Sequence, residues 1–94
     1  MGDVYQALAD ATRRLILDEL SERDGQSLFE LCSRLTMRHG VGSSRQAISQ
    51  HLAVLEDAGL VSSERSGRTK IHHLHTGPLR EIVTRWAIDR GSEP

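Results

Sequence analysis

Cysteine, aromatic residues and long apolar runs are all scarce in this 94-residue chain, and each shortage excludes a class of protein. A single cysteine, Cys32, cannot close an internal disulfide and cannot alone supply a multi-thiolate metal site. No stretch approaches the roughly 18 consecutive apolar residues of a membrane span. The opening Met1-Gly2-Asp3 lacks the basic and then apolar pattern of a secretory signal. The expected setting is therefore reducing and cytoplasmic. With only Tyr5, Phe29 and Trp86 as aromatics, the core must be aliphatic.

What is present describes one small folded domain spanning 1–94, because 37% apolar and 27% charged residues together are the balance of a globular chain. A chain of this size buries only about 60–65% of the surface its unfolded form exposes, so association with a second copy is a natural remedy for a marginal core. The formal net charge is −1, but it is unevenly placed. Residues 1–26 hold three arginines against six carboxylates, whereas residues 27–75 hold six Lys/Arg against four carboxylates and contain all five histidines. Residues 76–94 carry three of each sign. The middle is the basic part of an otherwise acidic chain.

Helical spacing dominates the order of elements. Val4, Leu8, Leu15, Ile16 and Leu20 recur at helical intervals, interrupted at Asp10, which predicts a short helix over 3–9 and a second over 11–22 with Asp10 as its cap. Gly25 is the expected stop. Ser27-Leu28-Phe29-Glu30 fits a capping box, followed by a third helix burying Leu28, Leu31 and Leu35. Thr36 to Ser44, with two glycines and two serines, reads as a turn. Ile48, Leu52 and Leu55 then mark a fourth helix ending at Ala58-Gly59. Two β-compatible runs, Leu60–Arg65 and Lys70–Leu74, flank Ser66-Gly67-Arg68-Thr69 as a hairpin. Pro78 opens a last helix over about 78–90 with the apolar stripe Leu79, Ile82, Val83 and Trp86. The predicted fold is mainly α with a small β-hairpin, in the order helix, helix, helix, turn, helix, hairpin, helix, which is a winged helix-turn-helix.

The outer face of the fourth helix is Arg45, Gln46, Ser49, Gln50 and Ala53, with no acid before Glu56. A merely solvated face would more often carry Glu and Lys, which are better helix formers than Ser. Such a face suits double-stranded DNA, since a helix fits the major groove and arginine and glutamine match guanine and adenine edges. Ser44, Arg45, Gln46, Ser49, Gln50 and His51 are the candidate contacts on this helix, with the Ser44 and Arg45 amides able to hold a phosphate at its positive end. Arg65, Arg68 and Lys70 on the hairpin add backbone contacts that position without reading much sequence.

The same segments carry a family resemblance. The run Ala7-Leu8-Ala9-Asp10-Ala11-Thr12-Arg13-Arg14-Leu15-Ile16-Leu17 resembles the opening of the ArsR/SmtB-like winged-helix repressors. Ser44-Arg45-Gln46-Ala47-Ile48-Ser49-Gln50-His51-Leu52, continuing through Val54-Leu55-Glu56-Asp57-Ala58-Gly59-Leu60-Val61, is similar to their recognition helix and its exit. Gly67-Arg68, Leu74 and Pro78-Leu79 are similar to their wing and last helix. The resemblance covers nearly the whole chain and implies a homodimeric, DNA-binding transcriptional repressor with its outer helices in the dimer interface. Ala11 stands where the family often has proline, and the turn before Ser44 is longer than the usual two or three residues.

Many such proteins sense metals, and neither usual site carries over. A thiolate site on the third helix needs two cysteines, and here Cys32 is followed by Ser33 and Arg34; residues 78–94 hold no histidine for a last-helix site. Cys32 is read as a small packing residue. His73 and His75 share a strand face beside His72, but a zinc or copper site would need further ligands from His39 or a partner subunit. No metal and no cofactor are expected.

Catalysis is not expected either. Gly40-Val41-Gly42-Ser43-Ser44 lacks the lysine and preceding strand of a P-loop, and Ser49 and His51 are two apart on a helix and do not face each other. The stripe of Leu79, Ile82, Val83 and Trp86, with Tyr5 and Leu8, is read as the homodimer interface, which places two recognition helices on an inverted-repeat operator with half-sites about 34 Å apart. The competing readings are a winged-helix protein-interaction module, which suits the near-neutral charge, and a metal-responsive repressor using the wing histidines.

Overall fold

Two aspartates start the first two helices. The computed structural model describes residues 2–86, within which the Asp3 carboxylate accepts the Tyr5 amide at 2.9 Å and that of Asp10 accepts Arg13 at 3.1 Å. These caps satisfy amides that a helix start leaves without intrahelical partners. They open α1 (Val4–Leu8) and α2 (Ala11–Glu22). Arg23 ends α2 in an extended conformation, so Gly25 stands in the following loop rather than at the helix stop. The Gln26 side-chain amide donates to the Glu19 and Arg23 carbonyls at 3.1 and 2.7 Å, closing the exposed end of α2.

The capping box is present as the sequence predicts. Ser27 Oγ accepts the Glu30 amide at 3.1 Å while the Glu30 carboxylate accepts the Ser27 amide at 2.9 Å, and α3 (Leu28–His39) follows. Here the structure corrects the sequence reading. Thr36 to His39 belong to α3, and the turn shortens to 40–44. Gly40 makes the stop: at φ 65 it occupies the left-handed region that a side chain disfavours, and its amide reaches back to the carbonyls of Leu35 and Thr36. α4 (Arg45–Asp57) then begins on Ser44, whose Oγ accepts the Ala47 amide at 3.1 Å.

The hairpin is β2 (Val61–Ser66) and β3 (Thr69–Leu74), joined by the two-residue turn Gly67-Arg68. A third strand, β1 (Gln26–Ser27), pairs antiparallel with β3 through Gln26↔His72 and Ser27↔Ile71, giving the order β1-β3-β2. The wing is therefore rooted in a three-stranded sheet rather than standing as an isolated hairpin. A 3-10 turn over Gly77–Leu79 precedes α5 (Arg80–Arg85), and the part of the expected last helix beyond 86 lies outside the described residues.

The core is aliphatic. Val4 and Ala7 of α1, Ile16 and Leu20 of α2, Leu31 and Leu35 of α3, and Ile48, Leu52 and Leu55 of α4 form one buried cluster with Ala58, Leu60 and Val61. Leu28, expected to be buried, is only half-buried at its margin. Among the described residues no helix is long and apolar enough to cross a membrane.

Candidate nucleic-acid interface

The turn between α3 and α4 fixes the pose of α4. Val41 packs against the core, its amide donates to the Leu35 carbonyl at 3.1 Å, and its carbonyl accepts the Thr36 hydroxyl at 3.2 Å. The inner side of α4 is pinned by Ile48, Leu52 and Leu55, each at most 3% exposed. A 3.6-residue period then turns Gln46 and Gln50 outward, with Ser49 at the flank. Ser44, Arg45, Gln46, Ser49 and Gln50 are all exposed, and among the described residues none of the Arg45, Gln46, Ser49 and Gln50 side chains has a hydrogen-bond partner. The carboxylates of α4, Glu56 and Asp57, lie at its far end.

His51 departs from this strip. It is half-buried on the side facing the α1–α2 junction, with Nδ1 3.2 Å from Arg13 Nη1, which makes it the acceptor, and Nε2 4.0 Å from Asp10. Arg13 in turn donates to the Ala7 and Gln6 carbonyls at 2.8 and 3.0 Å. His51 thus ties α4 to the helices behind it and does not share the exposed strip of Gln46 and Gln50.

A second tie runs between α2 and α3. Glu19, 2% exposed, receives Arg34 Nε at 2.5 Å and His39 Nε2 at 2.8 Å, with Arg38 at 3.6 Å. Burial pushes the Glu19 carboxyl up, but the hydrogen bonds from Arg34 and His39 and the charges of Arg38 and Arg34 outweigh it and hold the group below its ordinary range. The cluster closes over the end of α3, immediately before the turn into α4. It was not legible in the sequence, where its members lie up to 20 positions apart.

On the wing, Arg65, Arg68 and Lys70 are exposed and form no ion pair among the described residues. Arg65 and Lys70 are direct cross-strand partners, an arrangement in which like charges repel. A groove of about 530 Å³ separates the wing from α4, with Ser49, Ala53, Glu56 and Lys70 on its walls and the buried His72 at its base.

The three wing histidines share no partner. His72 donates from Nδ1 to the Gln26 carbonyl at 3.0 Å. His73 bridges Asp24 at 3.0 Å and Glu64 at 2.9 Å, and those two hydrogen bonds hold its pKa above the ordinary histidine value. His75 lies just beyond the end of β3, its Nε2 2.6 Å from the hydroxyl of Ser62, the residue that pairs with His73 across the hairpin. Among the described residues no group of three or more His, Cys, Asp or Glu side chains is arranged to hold a metal ion. Cys32 is half-buried on α3, and burial raises its thiol pKa despite the nearby Arg45 charge.

The predicted association stripe divides. Leu8, Leu79 and Ile82 pack against the protein's own core, while Val83 and Trp86 are 50% and 60% exposed. Tyr5 meets Trp86 edge-to-face at 5.9 Å, and Arg85 lies over both rings, so α1 and α5 adjoin within one chain.

This architecture has close counterparts among known proteins. A family model described as a helix-turn-helix domain matches residues 8–64. The HTH-type transcriptional regulator YuzN of Bacillus subtilis is 48% identical over 83 residues, spanning 88% of this chain and 90% of that protein. The HTH-type transcriptional repressor SmtB of Mycobacterium tuberculosis is 34% identical over 82 residues, 87% of this chain and 56% of the relative. Among solved structures, an ArsR-like transcriptional regulator from Rhodococcus sp. RHA1 superposes with a TM-score of 0.75 at 35% identity, covering 88% of this chain and 70% of the other. These are regulators, not enzymes. The chain belongs to the ArsR/SmtB family of winged helix-turn-helix proteins and is a DNA-binding transcriptional regulator.

Proposed function

We propose that the chain, acting as one winged-helix unit in the cytoplasm, is a homodimeric repressor that recognises an inverted-repeat operator without a bound metal. The observation that carries this reading is the exposed strip of α4, where Arg45, Gln46, Ser49 and Gln50 stand free of acids and of side-chain hydrogen-bond partners among the described residues. In the major groove, Arg45 is matched to guanine and Gln46 and Gln50 to adenine, with Ser49 close to the groove wall. The Ser44-capped start of α4 offers amides to a phosphate, and Arg65, Arg68 and Lys70 hold the flanking backbone. His51 is left out of this set, because its ring is engaged with Arg13. The exposed Val83 and Trp86 with the adjoining Tyr5 ring supply the apolar surface for a two-fold partner, and Leu8, Leu79 and Ile82 support it from beneath.

The test combines sedimentation with duplex titration. Sedimentation is expected to give a dimer at micromolar concentration, and two protomers are expected per duplex enriched from a random-sequence pool. Affinity should fall steeply with salt, because neutralised phosphates release counterions. A monomer at micromolar concentration, or one protomer per duplex with an affinity indifferent to salt, would defeat the reading.

A further inference from the structure

Phe29 stands in an unusual place for one of only three aromatics in the chain. It lies in the first turn of α3 and is 64% exposed, so it contributes little to the core. Its ring instead faces the guanidinium of Arg45, whose central carbon lies 5.8 Å from the ring centroid. Arg45 is the first residue of α4, and a serine cap fixes each of the two helix starts, Ser27 for α3 and Ser44 for α4. The stack therefore joins two rigid points rather than two loops.

The surroundings leave Arg45 this one aromatic partner. Glu30, on the same turn as Phe29, is turned away to the Ser27 amide at 2.9 Å and toward Arg23 at 3.9 Å. The shallow cleft around the pair is lined by Cys32, Ser33, Thr36 and Met37, none of them an acid. Other arginines near the helix-turn-helix are tied down through their N–H groups, Arg13 to backbone carbonyls and Arg34 to Glu19. Arg45 has no such hydrogen bond among the described residues and lies over the Phe29 ring instead. A cation–π contact gives the guanidinium no hydrogen-bond acceptor, so the N–H groups that make the two parallel hydrogen bonds to guanine are left unspent. A side chain already parked on a ring also has less rotamer freedom to lose on binding.

We propose that Phe29 is a positioning residue for DNA reading, whose ring holds the Arg45 guanidinium with its N–H edge turned toward the base. This rests on the assignment of Arg45 as a base reader. A ring placed there only for packing would be exchangeable for leucine, and a ring touching DNA directly would act without Arg45.

The experiment measures binding of the full chain to a duplex enriched by the wild type from a random-sequence pool, to every single-base-pair variant of it, and to an unrelated duplex. The proteins compared are wild type, Phe29→Leu, Phe29→Tyr, Arg45→Ala and the Phe29→Leu/Arg45→Ala double variant. Phe29→Leu is expected to weaken binding to the enriched duplex roughly two- to fivefold. It should flatten base preference at the same position that Arg45→Ala flattens, with unrelated-duplex affinity and thermal midpoint unchanged. Phe29→Tyr restores the wild-type profile, and Phe29→Leu adds nothing once Arg45 is absent. If Phe29→Leu is silent while Arg45→Ala is not, or if its loss is equal on all duplexes or additive with Arg45→Ala, the positioning role is overturned. If Arg45→Ala leaves every base preference intact, the assignment of Arg45 itself fails and the role of Phe29 falls with it.

Discussion

Glu19 on α2 and Arg34 on α3 meet at 2.5 Å between a buried carboxylate and a guanidinium that keeps 24% of its side chain in water. His39 and Arg38 converge on the same carboxylate from the last turn of α3, and Arg34 and Arg38 also pair with Glu22, so two carboxylates of α2 hold the crossing of the two helices behind α4. Glu19→Gln removes the buried charge at nearly constant volume and leaves Glu22 as the remaining carboxylate for Arg34 and Arg38. We expect urea unfolding to show a loss of about 2–3 kcal/mol, below the usual cost of breaking a fully buried pair because Arg34 and Arg38 reach solvent.

The same carboxylate sets the acid limit. Its folded pKa lies below the ordinary value of 4.5, so its contribution is complete above that value and is lost as pH falls through the depressed one. Wild-type stability should decline in that window, and Glu19→Gln should decline less steeply. Parallel pH profiles of the two proteins would contradict this assignment.

His73 works in the opposite direction. Hydrogen bonds to Asp24 and Glu64 raise its folded pKa above the ordinary value of 6.5, so its bridge is at full strength below that value and weakens as pH rises through the raised one. Asp24 also accepts the Leu74 amide at 2.6 Å. Intrinsic-rate-corrected hydrogen exchange at Leu74 is expected to quicken with rising pH across this window, and His73→Gln should remove the trend. Protection at Leu74 that ignores pH in the wild type would show that the bridge carries no such load.

The sequence made some of these features legible and hid others for identifiable reasons. Local signals survived: Asp10 as a cap, the Ser27–Glu30 box, the Ile48-Leu52-Leu55 stripe and the hairpin around Gly67 each depend on neighbours within a few positions. The boundary of α3 was lost because Thr36 to His39 are exposed, so apolar periodicity ended at Leu35 while the helix continued to the stop at Gly40. β1 is two residues long and pairs with residues more than 40 positions away, which leaves no alternation to read. For His51, proximity to the exposed strip of α4 in sequence concealed a rotation about the helix axis that points it at Arg13. The Phe29–Arg45 stack had no sequence signal, since it depends on how α3 and α4 cross.

Arg65 and Lys70 repel across the wing, which an unliganded hairpin has no reason to retain. Lys70→Gln should leave the hairpin as stable as before, or more so by a few tenths of a kcal/mol. It should weaken all duplexes alike and reduce the slope of log affinity against log salt by about 1. A loss restricted to one sequence would place Lys70 among the base-reading residues instead.

The most direct test of the account is the map of backbone amide shifts in the full chain on titration with its enriched duplex. The largest changes are expected at Ser44 to Gln50 and at Arg65 to Lys70, with Ile16, Leu20 and Leu31 in the core unmoved. Changes confined to surfaces away from α4 and the wing, with Arg45, Gln46 and Gln50 unshifted at saturation, would contradict it.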